Sequence, residues 1–110
     1  MYVISQSDLP FVGMSHMLFG ADQGVGVSVY LVSSPPGRAT KRHRHPYDEI
    51  AFEREGRGRW TVDGETREAG PGDILVVKAG QIHAFENVGD VPLVQLDVHV
   101  SERFIQENLD

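Results

Sequence analysis

Apolar and polar residues alternate along most of this chain, in short runs that turn residues separate. The run VGVSVYLV at 25–32 places three valines and Leu31 on one face of an extended strand, since side chains two positions apart share a face. Turn-forming residues interrupt such runs at PPG, GRG, DG and GPG. Further strands are predicted at 49–54, 59–62, 65–69, 73–77, 83–87 and 92–100. So many short strands in 110 residues predict an all-β sandwich or barrel.

Two local patterns refine this prediction. Asp63 and Gly64 lie between two predicted strands and indicate a two-residue hairpin, because both central positions of a type I′ turn have positive φ. The segment SERFIQENL at 101–109 predicts a short C-terminal helix, since Ser101 is a good capping residue and Ile105 and Leu109 share a helical face. The length fits a single domain over residues 1–110.

The composition argues against several classes of function. A net charge of -6 opposes binding to nucleic acid and to anionic membrane surfaces. There is no cysteine, so a metal would have to be held by nitrogen and oxygen donors. The N-terminal sequence lacks a basic segment followed by an apolar one, and no apolar run is long enough to span a bilayer. We therefore expect a cytoplasmic protein.

The stretch HRHPYDE at 43–49 concentrates imidazoles and carboxylates. In an extended strand His43 and His45 reach toward one point, while the neighbouring arginines turn away from it. Glu49 keeps the same facing if the chain stays extended or returns through the Pro46-Tyr47 turn, whereas Asp48 points the other way. The stretch therefore predicts part of a metal site, with a solvated charged loop as the alternative.

A fourth ligand is available in GQIHAFEN at 80–87. His83 opens a predicted strand directly after the turn at Gly80. Phe85, two positions further, shares the face of His83 and would line the same cavity.

With these residues in place, the chain resembles the cupin family. The first cupin motif, G-x5-H-x-H-x3-E-x6-G, is matched without a gap at 37–56, and the second, G-x5-P-x-G-x2-H-x3-N, is matched at 72–87. One position departs, because Lys78 stands where the family usually has proline, and its effect would be to loosen that turn. The resemblance implies a double-stranded β-helix, or jelly-roll, barrel with a metal inside its mouth. The implied ligands are His43, His45, Glu49 and His83.

Three imidazoles and one carboxylate suit divalent Fe, Mn, Ni, Co, Cu or Zn. Octahedral coordination would leave two positions open for water, dioxygen or a chelating substrate, and Glu49 is our candidate catalytic residue. The first hypothesis is an oxidoreductase of dioxygenase type acting on a small organic molecule, in a pocket shaped by Ala51, Glu53 and Phe85. The alternatives are a non-catalytic metal-assisted sensor or binding module, a cupin isomerase, and a metal that only stabilises the barrel.

The orientation of two polar residues further along the strands, Glu53 and His99, has to be predicted separately. Glu53 lies on the face of Glu49, about 13 Å further along the strand at ~3.3 Å per residue. A β-bulge that rotates it into solvent is the favoured interpretation, and an inward Glu53 would be a second carboxylate for the substrate. His99 shares a polar face with the residues at 95 and 97, which we interpret as a solvent face.

Ile50 and Phe52 should face away from the site, where they would form an apolar patch on a small barrel. Single-domain members of the family are commonly homodimeric. We therefore expect a homodimer that uses this patch, with burial of the patch beneath the N-terminal segment as the alternative.

Overall fold

The computed structural model describes residues 1–109, and antiparallel strands make up most of it. Its strands are, in chain order, β1 Phe11–Val12, β2 Ser15–Leu18, β3 Ser28–Ser34, β4 His43–Arg44, β5 Glu49–Glu55, β6 Gly58–Val62, β7 Glu65–Ala69, β8 Ile74–Val77, β9 His83–Asn87, β10 Leu93–His99 and β11 Glu107–Asn108. A 3-10 turn at Gln6–Asp8 and one helical turn, α1 at Gly20–Gln23, are the helical elements among these residues. No helix in the described part of the chain is long and apolar enough to cross a membrane. The all-β prediction is confirmed.

The strands form two sheets, and the chain passes repeatedly from one to the other. The six-stranded sheet has the order β1-β2-β3-β10-β5-β8, and the five-stranded sheet has the order β11-β4-β9-β6-β7. Because β5, β8 and β10 lie in one sheet and β6, β7 and β9 in the other, successive crossings hold the two sheets face to face, as in a jelly roll. The buried apolar core consists of Met17, Tyr30, Val32, Ala51, Trp60, Ala69, Val77, Phe85 and Leu93.

The turn between β6 and β7 is the predicted two-residue hairpin. Asp63 has a φ of 48° and Gly64 a φ of 83°, and the flanking Val62 pairs with Glu65. Positive φ at both central positions is the type I′ geometry, which the aspartate-glycine pair accommodates. The hairpin prediction is confirmed.

The inner face of β10 is polar. Its buried positions are Leu93, Gln95, Asp97 and His99, while the valines and leucine between them lie half-buried on the outer face. The interpretation of His99 as solvent-facing is therefore wrong, since only 3% of it is exposed. The alternation of a strand defines two faces but does not say which of them the rest of the fold covers.

The bulge proposed for β5 is present, but it lies one residue beyond Glu53. Gln95 pairs with Glu53 and Val94 with Glu55, so Arg54 is the extra residue of the bulge. Arg54 is exposed, whereas Glu53 remains inside the barrel. The interpretation that a bulge turns Glu53 into solvent is wrong, because the shift in register begins only after it.

The C-terminal segment is not helical, contrary to the prediction. Glu107–Asn108 form β11, which pairs with β4, and the backbone N–H of Leu109 donates to the carbonyl of Arg42. Ile105 is 49% exposed, so the apolar stripe expected of a helix is not buried, and a segment this short is a marginal helix by itself. The backbone of the C-terminal segment instead forms hydrogen bonds with β4, at the edge of the sheet that carries His43.

Candidate metal centre

Three different parts of the fold carry the residues of the two histidine-rich motifs. His43 begins β4 and pairs directly with His83 at the start of β9, and His45 follows β4 by one residue. Glu49 begins β5 in the opposite sheet. All four side chains are buried, while Arg44 between the two histidines bonds outward to Glu107. The turn Pro46-Tyr47 thus brings a carboxylate from one sheet to the imidazoles of the other.

The donor atoms of these residues converge. The Oε1 atom of Glu49 lies 3.4 Å from Nε2 of His45 and 3.3 Å from Nε2 of His83. The ligand nitrogens of His43, His45 and His83 lie within 4.8 Å of one another. Glu49 Oε1 and His83 Nε2 are buried and have no hydrogen-bond partner in the described part of the chain. Such atoms normally have a partner, and a divalent ion between them would supply it, so this donor set fits a metal.

Backbone carbonyls hold the other nitrogen of each motif histidine. Nδ1 of His43 lies 2.6 Å from the carbonyl of Lys41, Nδ1 of His45 lies 2.7 Å from that of Ile105, and Nδ1 of His83 lies 2.9 Å from that of Gln81. A carbonyl only accepts, so Nδ1 carries the proton in each ring and Nε2 is left with a lone pair. This is the arrangement in which outer partners orient metal-ligating histidines.

Burial and mutual charge set the protonation of the cluster. Burial lowers the pKa of His43 to about 4 and also lowers the pKa of His45. Burial acts in the same sense on His83, but Glu49 and the Gln81 carbonyl outweigh it, and the pKa of His83 is raised. Burial alone would raise the pKa of Glu49, yet the surrounding imidazoles lower it. The result is an ionised carboxylate beside neutral His43, the forms in which these groups bind a metal.

His99 also lies in this cluster, although its strand face is predicted from the sequence to be exposed to solvent. It pairs with Glu49 across β10 and β5, and its Nε2 lies 3.5 Å from Glu49 Oε1. Its Nδ1 lies 2.7 Å from the hydroxyl of Tyr47, and burial lowers its pKa to about 4. The polar face of PLVQLDVHV was the sequence feature that could have indicated this. If that face is taken to point into the barrel, its histidine lies at the mouth of the barrel.

Residues 30–99 match the family model described as "Cupin domain". This match covers more than half of the chain. The chain belongs to the cupin family. The resemblance of its two motifs to those of cupins is thereby confirmed.

Three known proteins show how this cupin relates to others. It is 38% identical over 72 residues to MJ1618, an uncharacterized protein of Methanocaldococcus jannaschii, in a match that covers 64% of this chain and 58% of that protein. It is 36% identical over 63 residues to a gentisate 1,2-dioxygenase of a Streptomyces species, covering 56% of this chain and 18% of the relative. Its fold is similar, with a TM-score of 0.80 and 25% identity, to Bacillus subtilis oxalate decarboxylase, a protein with Mn(II) centres, covering 94% of this chain and 30% of that one. The cupin spans less than two thirds of each of these proteins.

A cavity of about 330 Å³ opens onto the histidine cluster. Its polar lining includes His43, His45, Glu49, Asp97 and His99, its apolar lining includes Met17, Val32, Phe85 and Phe104, and its exposed basic side chains are Arg38 and Lys41. The cavity has room for a small organic molecule beside the cluster.

The predicted pocket residues differ in their relation to this cavity. Phe85 lines it, whereas Ala51 and Glu53 are buried in the barrel and are not part of its lining. The indole of Trp60, itself buried, donates a hydrogen bond of 3.0 Å to Oε1 of Glu53 and covers this carboxyl. Burial raises the pKa of Glu53 to about 7. Glu53 is thus an interior acid that contacts Trp60 instead of the cavity.

The turn at the unusual Lys78 is firmly held. The backbone N–H of Lys78, which a proline would lack, donates to the side chain of Gln81 at 2.8 Å, and its Nζ lies 2.9 Å from Asp48. The N–H of Gly80 donates to the carbonyl of His45. One of the hydrogen bonds of this turn is thus made by an N–H that proline would lack, while the expectation that Lys78 loosens the turn stays a prediction.

Proposed function

We propose that this cupin binds one divalent transition metal on His43, His45, Glu49 and His83 and is an oxidoreductase of dioxygenase type. The observation that supports it most is the convergence of buried, oriented donors, of which Glu49 Oε1 and His83 Nε2 have no partner among residues 1–109. The ion is Fe, Mn, Ni, Co, Cu or Zn, since nitrogen and oxygen donors suit all of these. The similarity to a gentisate dioxygenase and to a decarboxylase with Mn(II) centres supports a redox-active ion.

The side chains around the cluster indicate how the site would work. A bound metal supplies Lewis acidity and, if redox-active, electron transfer. Glu49 remains ionised because its pKa is lowered, so it brings a full negative charge to the ion. Met17 and Phe85 line the cavity with apolar surface that limits the access of water, which strengthens electrostatic interactions within it.

The substrate we propose is a small organic acid. The cavity is bordered by the exposed cationic side chains of Arg38 and Lys41, in a protein whose net charge is -6. Basic groups at the edge of a cavity attract and orient an anionic group of a ligand. Gentisate and oxalate, which the names of two similar proteins contain, are both organic acids.

Metal content is the first test. The wild-type protein, His83→Ala and His16→Ala would be purified without added metal and compared by elemental analysis. His16 is the matched control, because it lies on β2 and hydrogen bonds to Gln6 outside the cluster. We expect near-stoichiometric metal in the wild type and in His16→Ala, and none in His83→Ala. Equal metal in all three proteins, or none in the wild type after reconstitution, would contradict the proposal.

Turnover is the second test. The metal-loaded protein would be incubated with gentisate, oxalate and other small organic acids while dioxygen uptake is recorded and products are identified by mass spectrometry. Metal-dependent uptake that His83→Ala lacks would support the proposal. Conversion without dioxygen uptake would favour an isomerase, and binding without conversion would favour a sensor. Stabilisation by metal with no competing ligand would indicate a structural ion.

We also propose that the protein is a homodimer that uses the outer face of the six-stranded sheet. Ile50 and Phe52 lie half-buried on this face, and Ile74 and Val76 of the edge strand β8 are 58% and 60% exposed. Light scattering would compare wild type, Val76→Glu, and Thr66→Glu, an exposed position on the other sheet. We expect dimers for wild type and Thr66→Glu and a monomer for Val76→Glu. A monomeric wild type would contradict this proposal.

A further inference from the structure

We infer that His99 is a further ligand of the metal, so that the centre takes four imidazoles and one carboxylate. The inference rests on the proposed metal site and adds a donor from β10, at residues outside both histidine-rich motifs. A fifth protein ligand also changes what the ion can bind, because each protein ligand occupies one coordination position that substrate or solvent could otherwise take.

His99 lies about as close to Glu49 as two of the motif histidines do. Nε2 of His83, His45 and His99 lies 3.3, 3.4 and 3.5 Å respectively from Glu49 Oε1. Donors that sit about 2.1 Å from a common ion are about 3.0 Å apart when adjacent and about 4.2 Å apart when opposite. All three distances are therefore close to the one expected between adjacent ligands of a common ion. By this criterion His99 is as good a candidate ligand as His45 and His83.

A second group of donors supports the same conclusion. The ligand atoms of His45, Glu49 and His99 lie within 4.8 Å of one another, as do those of His43, His45 and His83. His45 belongs to both groups, so the two groups meet at this ring and together comprise five candidate donors. The cluster lies between the sheets, with His99 and Glu49 from one sheet and His43 and His83 from the other.

The ring of His99 is held with Nε2 toward this cluster. Nδ1 is 2.7 Å from the hydroxyl of Tyr47, and the ring of Tyr30 packs at a centroid distance of 4.2 Å. Tyr47 also stacks on His45, at 4.9 Å and an interplanar angle of 14°. When the Tyr47 hydroxyl accepts from Nδ1–H, Nε2 of His99 carries a lone pair, as it does in the three histidines that carbonyls hold. In the opposite tautomer His99 would only donate to Glu49 and position it, and the experiment must separate these two roles.

Five protein donors change the chemistry open to the substrate. An octahedral ion would keep one exchangeable position, where three imidazoles and Glu49 alone would leave two. A substrate would then attach through a single atom unless His99 leaves the ion. Removal of His99 should therefore increase the affinity of the metal-loaded protein for oxalate, which chelates through two oxygens.

Proton NMR of the Co(II)-loaded protein tests the inference directly. An imidazole bound through Nε2 keeps its Nδ1–H close to the paramagnetic ion, which gives a strongly shifted signal that disappears in D2O. The chain has five histidines, and His16 is an internal control outside the cluster. We expect four shifted, exchangeable signals in the wild type and three in His99→Gln. A Co(II)-loaded crystal structure should show His99 Nε2 at about 2.1 Å from the ion.

The outcomes distinguish the inference from the proposed function on which it rests. Three shifted signals in the wild type, with His99 further than about 3 Å from the ion, would overturn the inference while leaving the metal centre intact. A wild-type protein that binds no Co(II) at the cluster would overturn both. If His99→Gln does not fold, the wild-type signal count and the crystallographic distance still decide.

Discussion

The two sheets contribute to the candidate metal centre in different ways. The five-stranded side supplies motif histidines whose Nδ1 atoms donate to backbone carbonyls, so the main chain itself fixes their tautomer. The six-stranded side supplies Glu49 and His99, and the latter is held by the hydroxyl of Tyr47. The main chain thus orients the motif histidines, whereas a side chain orients His99. A mutation of Tyr47 can therefore remove the hydrogen-bond partner of His99, but no side-chain mutation removes the carbonyls that hold the motif histidines.

The same difference extends into the barrel. Behind Glu49 and His99, the six-stranded sheet turns Glu53, Gln95 and Asp97 inward, all of them buried. Gln95 donates to both oxygens of Asp97 at 3.0 and 3.1 Å, and Trp60 donates to Glu53. Burial raises the pKa of both acids. This sheet therefore carries a buried polar layer whose stability depends on protonation.

Replacement of His45 should have the largest effect, because its nitrogen belongs to both groups of donors. We expect His45→Ala to weaken Co(II) binding by more than about 100-fold, beyond the ~10–100-fold cost of losing an outer partner of a ligand. Isothermal titration would measure it, with His16→Ala as the control. Unchanged affinity would show that His45 is not a ligand of the ion.

Glu53→Gln should change the pH dependence of folding in metal-free protein. Glu53 has a pKa of about 7 in the folded chain against 4.5 in the unfolded chain, so the folded state favours the protonated acid. Stability from this group is present below about pH 4.5 and is lost progressively up to about pH 7, for a total of about 3 kcal/mol. Glutamine still accepts from Trp60 and cannot ionise, so the variant should lack this loss.

Urea unfolding of both proteins at about pH 4 and about pH 8 would measure the change for Glu53. The difference in unfolding free energy between variant and wild type should rise by about 3 kcal/mol over this range. A constant difference would mean that Glu53 titrates normally and that the inner layer of the six-stranded sheet is hydrated.

Acidification should release the metal, with His83 taking up a proton first. The pKa of His83 is raised above its usual 6.5, so protons compete with the ion at this ring from neutral pH downward. Affinity should fall by about tenfold per pH unit for each imidazole that must lose a proton before it binds. Competition with a chelating dye at about pH 7.5 and about pH 5.5 would measure this, and equal affinities would argue against imidazole ligation.

Tyr47→Phe should have the smallest of these effects, because it removes a hydrogen bond of His99 and leaves every donor atom of the centre in place. Loss of the hydroxyl frees Nδ1 of His99 while the three carbonyl-held histidines keep their partners. We expect metal affinity to fall by about tenfold, at the lower end of the cost of losing an outer partner. A loss as large as that of His45→Ala would mean that Tyr47 organises the whole cluster.

The sequence allowed prediction of the parts of the site that depend on local spacing. His43, His45 and Glu49 converge because a short strand and a tight turn carry them, and Asp63-Gly64 forms its hairpin from two positive φ angles. The position of His99 was not predictable in this way. Its strand alternates as regularly as the others, but only long-range pairing with Glu49 decides that the polar face is covered. The helix predicted for the C-terminal segment is wrong for a related reason, because β4 offers that segment backbone partners that no local pattern reveals.

The most direct test that ligands from both sheets bind one ion is a crystal structure of the metal-loaded protein, with anomalous data collected at the absorption edge of the bound metal. We expect a single ion between the sheets, at about 2.1 Å from both Glu49 Oε1 and His83 Nε2, two atoms that lack partners among the described residues. An anomalous peak elsewhere, or an ion that contacts the imidazoles of the five-stranded sheet without Glu49, would contradict it.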